Sequence, residues 1–133
     1  MDCYKLVNGK FEPVDPPYGD ASDPVKALFD AGYRKELTSG LEEGVGGEVT
    51  LWVNTKPDSG KPRFFLDVWG SEHGLAEFVA DDLPGLLAVM KEAAPLIALA
   101  GLEQRSTIHV LRQLDRKDGV DKGVEALEGL RRG

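Results

Sequence analysis

Val49-Thr50-Leu51-Trp52-Val53-Asn54-Thr55, then Lys56-Pro57-Asp58-Ser59-Gly60-Lys61-Pro62, then Arg63-Phe64-Phe65-Leu66-Asp67-Val68-Trp69, is the stretch that decides the fold. β-Branched and aromatic residues fill both flanks and turn formers fill the middle, which predicts two antiparallel strands around one loop. Downstream, Gly70-Ser71-Glu72-His73-Gly74 turns the chain into a third strand, Leu75–Ala80, completing a meander. Upstream, Tyr4–Val7 and Lys10–Val14 flank Asn8-Gly9, the pair best able to take positive φ at both central positions of a tight hairpin.

Outside the strands the helices announce themselves by caps. Asp23 before Pro24 starts a short helix that Gly32 stops, with Val25, Leu28 and Phe29 as its expected apolar stripe. Asp81 or Asp82 caps a second helix from Leu83, whose expected inner side is Leu83, Leu86, Leu87, Met90 and Ala94. Pro95 ends that helix near Ala94 or kinks it. Leu102–Leu114 is taken as a further helix, although Thr107–Leu111 also fits a strand. Val120, Val124, Leu127 and Leu130 recur at helical spacing, so Gly119–Arg132 is a terminal helix with Arg131 and Arg132 at its dipole-favoured end. Gly40–Gly47, with four glycines, is a loop; its spacing fits neither a dinucleotide fingerprint nor a Walker pattern, and Glu42 and Glu43 would repel phosphate. The expected class is therefore α+β. An antiparallel sheet of three to five strands, the meander plus the N-terminal hairpin, carries helices on at least one face, in a single domain over residues 1–133.

Composition narrows the function. With 41% hydrophobic and 29% charged residues in 133, the chain is no disordered polymer. No apolar run reaches the roughly 18–20 residues of a membrane span, and Met1–Lys5 has neither the basic nor the apolar region of a secretory leader, so the expected compartment is the cytoplasm. The net charge is −7, and residues 1–100 hold nine basic against seventeen acidic side chains. No Lys/Arg cluster exceeds Arg131-Arg132 or Arg116-Lys117, which argues against direct nucleic-acid binding. An acidic surface can instead steer the protein to a basic partner, or simply keep it soluble. Cys3, the single cysteine, has no partner for an internal disulfide or a cysteine zinc site and lies near a terminus that would fray.

Alternation along the strands separates two faces. Val49, Leu51, Val53, Phe64, Leu66 and Val68 form an aliphatic side for the Leu83–Ala94 helix to cover. The opposite parity holds Trp52, Asn54, Phe65, Asp67 and Trp69, both tryptophans around one carboxylate, with Phe78 a further candidate depending on register. Exposed, this face would be a recognition surface. Covered by the Val25–Ala31 or C-terminal helix, it would be plain core.

No catalytic signature is legible. His73 and His109 each lack a second ligand at helical spacing, a metal site from Glu72, His73 and Asp81 would need the fold to bend back, and the serines have no nucleophile elbow. Asp67 is the carboxylate with a use in acid–base chemistry, because flanking aromatics would raise its pKa. The reading that fits is an interaction module of the antagonist, immunity or adaptor type, without cofactor or metal, binding another protein through Trp52, Phe65, Asp67 and Trp69, with Glu42 and Glu43 as a secondary contact. Two alternatives stay open: a small-ligand or catalytic pocket with Asp67 as acid or base, and an acidic mimic of nucleic-acid phosphates.

Overall fold

A computed structural model describes residues 2–39, 48–69, 74–105 and 116–132. The strands are β1 (Cys3–Val7), β2 (Lys10–Val14), β3 (Tyr33–Ser39), β4 (Glu48–Asn54), β5 (Phe64–Trp69) and β6 (Gly74–Ala80). The helices are α1 (Pro24–Asp30), α2 (Leu83–Glu92), α3 (Ala94–Arg105) and α4 (Arg116–Arg132). The class is α+β, but the sheet has six strands in the order β2-β1-β6-β5-β4-β3, and it is mixed. β1 runs parallel to β6, with Cys3 beside Glu77 and Lys5 beside Val79, whereas every other neighbour is antiparallel.

This corrects the expected antiparallel sheet of three to five strands on two counts. β3 adds a strand where Arg34, Lys35 and Glu36 conceal the pattern. It is an edge strand carrying exposed charges and a bulge between Lys35 and Leu37, so only its β4 side is constrained by pairing. The parallel β1–β6 contact joins segments some seventy residues apart, and no local turn signals such a pairing.

The local readings around it hold. Asn8 and Gly9 both take positive φ in the β1–β2 turn. Asp23 accepts from the Lys26 amide at the start of α1, and Asp82 accepts from the Gly85 amide at the start of α2. Asp81 instead pairs with Lys5 Nζ at 2.7 Å. Pro95 falls in the first turn of α3, where no backbone donor is needed, so the break from α2 comes at Ala93.

One face of the sheet presents Phe64, Leu66, Val68, Ala76, Phe78 and Ala80, joined by Tyr4 and by half-buried Val49, Leu51 and Val53. α2 packs there on β6 and β1, and α3 on β4 and β5, while α4 lies along α3. Gly123 permits that last approach: a Cβ there would stand 2.5 Å from Leu99 Cβ. The inner side of α2 is Leu86, Val89 and Ala93, whereas Leu83, Leu87 and Met90 stay exposed. Two apolar stripes overlap on this helix, offset by one position, and side-chain bulk alone does not choose between them. Phe78 belongs to this face, its ring 5.0 Å from Phe11, and not to the tryptophan face.

The second face holds Cys3, Tyr33, Trp52, Phe65 and Val79, covered by Leu28 of α1 and bordered by Val14, Tyr18 and Ala31. Val25 and Phe29 remain exposed, so only Leu28 of the expected stripe is buried. A seven-residue helix is about 10 Å long. It cannot roof six strands, and the part of the face that it leaves open is the site described next.

Candidate functional site

Registers place four side chains in a row across this second face. Thr50 of β4 lies opposite Asp67 of β5, Asp67 opposite Glu77 of β6, and Glu77 beside Cys3 of β1. One step along, Lys35, Trp52, Phe65 and Val79 form the adjacent row. Beside α1 these rows floor a cleft of about 470 Å³, whose walls include Tyr18, Val25, Trp52, Trp69 and Glu48.

The expected residues divide by depth. Trp52 and Phe65 are only 3% and 1% exposed, Trp52 lying under the Phe29 ring at 5.3 Å and Phe65 against the edge of Tyr18 at 6.0 Å. They are structural walls of the cleft. Trp69 is 41% exposed and forms its rim, and its indole Nε1 donates to Asp67 Oδ2 at 2.9 Å. Asp67 lies between, and its Oδ1 is enclosed without a hydrogen-bond partner among the described residues. Glu42 and Glu43, the Gly40–Gly47 loop, His73, His109 and Thr107–Leu111 lie outside the described residues.

The structure adds residues that strand parity did not supply. Glu77 is almost fully buried, and the Tyr18 hydroxyl donates to its carboxylate, 2.7 Å from each oxygen. Its one sequence signal is a lone carboxylate inside Leu75-Ala76-Glu77-Phe78-Val79. Tyr18, in a proline-rich loop, gave none. Glu48 accepts from Thr50 Oγ1 at 2.9 Å, and the Lys35 ammonium rests over the Trp52 ring, 5.1 Å from its centroid. Both follow from parity only once β3 and the first residue of β4 are recognised.

Burial dominates the electrostatics. Desolvation lifts Asp67 from 3.8 to about 6, aided by the Glu48 charge and opposed by the Trp69 hydrogen bond and by Lys35. Desolvation also lifts Glu77 from 4.5 to about 7, aided by Asp67 and opposed by the Tyr18 hydroxyl. The Tyr18 phenol is pushed up by burial and by the carboxylate it serves. Burial and Glu77 push the Cys3 thiol up to about 12, far from a reactive thiolate. Cys3 is thus held in β1 rather than frayed, and burial, not fraying, is what opposes formation of its thiolate. Among the described residues no group of three His, Cys, Asp or Glu is placed to hold a metal ion, and no helix is long and apolar enough to cross a membrane.

The chain matches no family model, no curated protein and no solved structure. Geometry alone carries the functional reading.

Proposed function

We propose that this chain is a small cytoplasmic interaction module, of the antagonist, immunity or adaptor kind, that seats a projecting side chain of a basic partner protein in the cleft between α1 and the sheet. One observation carries the reading: a cleft of about 470 Å³ walled by Trp52 and Trp69 and lined by Glu48, Asp67 and Glu77. Aromatic walls anchor interfaces, and a carboxylate floor on a chain of net charge −7 complements a basic surface. The exposed apolar side chains of Val25, Phe29 and Trp69 supply a rim that a partner would cover. The lone buried thiol accords with a reducing compartment.

The test is capture of one partner from lysate by tagged wild-type protein and by Trp69→Ala. Trp69 sits at the rim, so its truncation spares the core, unlike that of Trp52. A partner held by wild type, released by salt and lost in the folded variant supports the module. Capture indifferent to both salt and Trp69 sinks it.

A second reading has its own support. Asp67 near 6 and Glu77 near 7 are tuned to a range useful for acid–base work at neutral pH, inside a cavity large enough for a small ligand. A metabolite that changes tryptophan fluorescence, with the change abolished in Asp67→Asn, would favour this pocket over the module.

A further inference from the structure

We infer that the group seated in the cleft is the guanidinium of an arginine on the partner, stacked on the tryptophan wall and bonded to Asp67 and Glu48. The inference rests on the module reading above and specifies its ligand.

The cleft already shows its preference for cations. Lys35, reaching across from the edge strand, rests its ammonium over Trp52 at 5.1 Å and forms no ion pair among the described residues. The face of an indole attracts a cation electrostatically. An exposed lysine held by that attraction and by the Asp67 charge, with no hydrogen-bonded ion pair among the described residues, can be displaced by a better-fitting cation, so Lys35 marks the place and does not fill the site.

Among the described residues the acceptors are incompletely served. Asp67 Oδ2 is served by the Trp69 indole, while the enclosed Oδ1 has no partner among the described residues. A buried carboxylate oxygen without a donor is costly and uncommon. Glu48 stands opposite Trp69 and therefore diagonal to Asp67, and among the described residues only its Oε1 is engaged, by Thr50. Diagonal pairs on a sheet lie about 7–8 Å apart at the backbone, closer at the side-chain tips. A planar fork of five donors bridges such a pair while lying flat on an aromatic ring, whereas an ammonium is a point charge that serves one carboxylate at a time. Glu77, by contrast, is occupied by Tyr18 and contributes charge from below.

The titration of Asp67 agrees in sign. Among the described residues the groups facing it are Glu48 on β4, Glu77 on β6, Lys35 on β3, Tyr18 before α1 and Cys3 on β1, and α1 itself brings only Pro24, Val25 and Leu28 to the cleft. A carboxylate lifted to about 6 accepts a proton as pH falls, and a cation prefers it charged. Affinity is therefore greatest well above pH 6 and fades as pH falls through it.

The experiment titrates the 133-residue chain with three peptides, acetyl-Gly-Arg-Gly-amide, its lysine counterpart and its citrulline counterpart, into the millimolar range, following the indole N–H signals by NMR. Expected are a saturable shift of the Trp69 indole with arginine, weaker binding of lysine and none of neutral citrulline. Asp67→Asn and Glu48→Gln should each weaken arginine binding about tenfold or more, the loss typical of one hydrogen bond to a charged group. Lys35→Gln should tighten it, a gain that a merely structural lysine would not produce. Both carboxylate changes are near-isosteric, and Glu48 is exposed, so one variant keeps its fold even if the other does not. No arginine shift, equal response to citrulline or lysine, or wild-type affinity in both carboxylate variants overturns the inference. If partner capture still depends on Trp69 but survives Asp67→Asn with Glu48→Gln, the guanidinium assignment fails while the module stands. If arginine binds as expected but no capture depends on Trp69, the module fails, and with it the assignment of the arginine to a partner protein.

Discussion

Replacing Asp67 by Asn should make this protein more stable at neutral pH. Asp67 is held in the folded state at about 6 against an ordinary value of 3.8, a bias against its charged form worth about 3 kcal/mol. For an acid whose folded value is raised, the folded state binds the extra proton between the two values, so stability is greatest below the unfolded value and is lost as pH rises through the folded one. Integrating between 3.8 and about 6, the penalty is about 1.6 kcal/mol at pH 5 and about 3 kcal/mol at pH 7 and above. Asn removes the charge, keeps the shape and leaves an oxygen to accept from the Trp69 indole. Urea unfolding of both proteins, followed by circular dichroism at intervals from pH 5 to 8, reads the effect, and because the Asp67 charge also helps raise Glu77, its loss relaxes Glu77 in the same direction. The variant should gain on wild type by at least about 1.4 kcal/mol across that window. A difference flat with pH, or one that shrinks as pH rises, would refute the view that desolvation controls this carboxylate.

Tyr18→Phe removes the hydroxyl that serves Glu77; the cost should be about 1.5–3 kcal/mol at pH 8, where the carboxylate needs its donor, and smaller at pH 5, below the value of about 7 at which Glu77 takes up a proton. Gly123→Ala should destabilise by about 1–3 kcal/mol, because its Cβ would meet Leu99 Cβ at 2.5 Å and the Pro95 carbonyl at 3.1 Å. Gly129→Ala, on the same helix with nothing within 4 Å, should instead stabilise by up to about 1 kcal/mol; thermal melts of the two variants should move in opposite directions. Cys3 in the folded protein should resist a disulfide reagent at pH 8 and react promptly in urea, because burial holds its thiol near 12; fast labelling of native protein would contradict that burial.

Much of the framework was legible because its causes are local. Asn8-Gly9 carries its own turn, Asp23-Pro24 and Asp82 carry their own helix starts, and the parity of Val49–Val53 and Phe64–Trp69 separates an aliphatic face from the one bearing Trp52, Phe65, Asp67 and Trp69. What failed was what depends on neighbours. β3 carries a charged run because an edge needs no apolar partner on its outer side, and α2 turned out to bury Val89 and Ala93 in place of Leu87 and Met90. Half of the candidate site was visible as residues, but its depth was not: nothing in the chain says that Trp52 and Phe65 are walls and Trp69 a rim.

The sequence by itself determined the α+β class, the two parities of the central strands and a carboxylate among aromatics at Asp67, because alternation, capping and turn chemistry act within a few residues. Only the tertiary structure decided that β1 lies parallel to β6, that Glu77 stands beside Asp67, and that Tyr18 and Lys35 reach the same cleft. Those contacts join segments dozens of residues apart. They are fixed by strand order and register, which exist only once the strands have assembled.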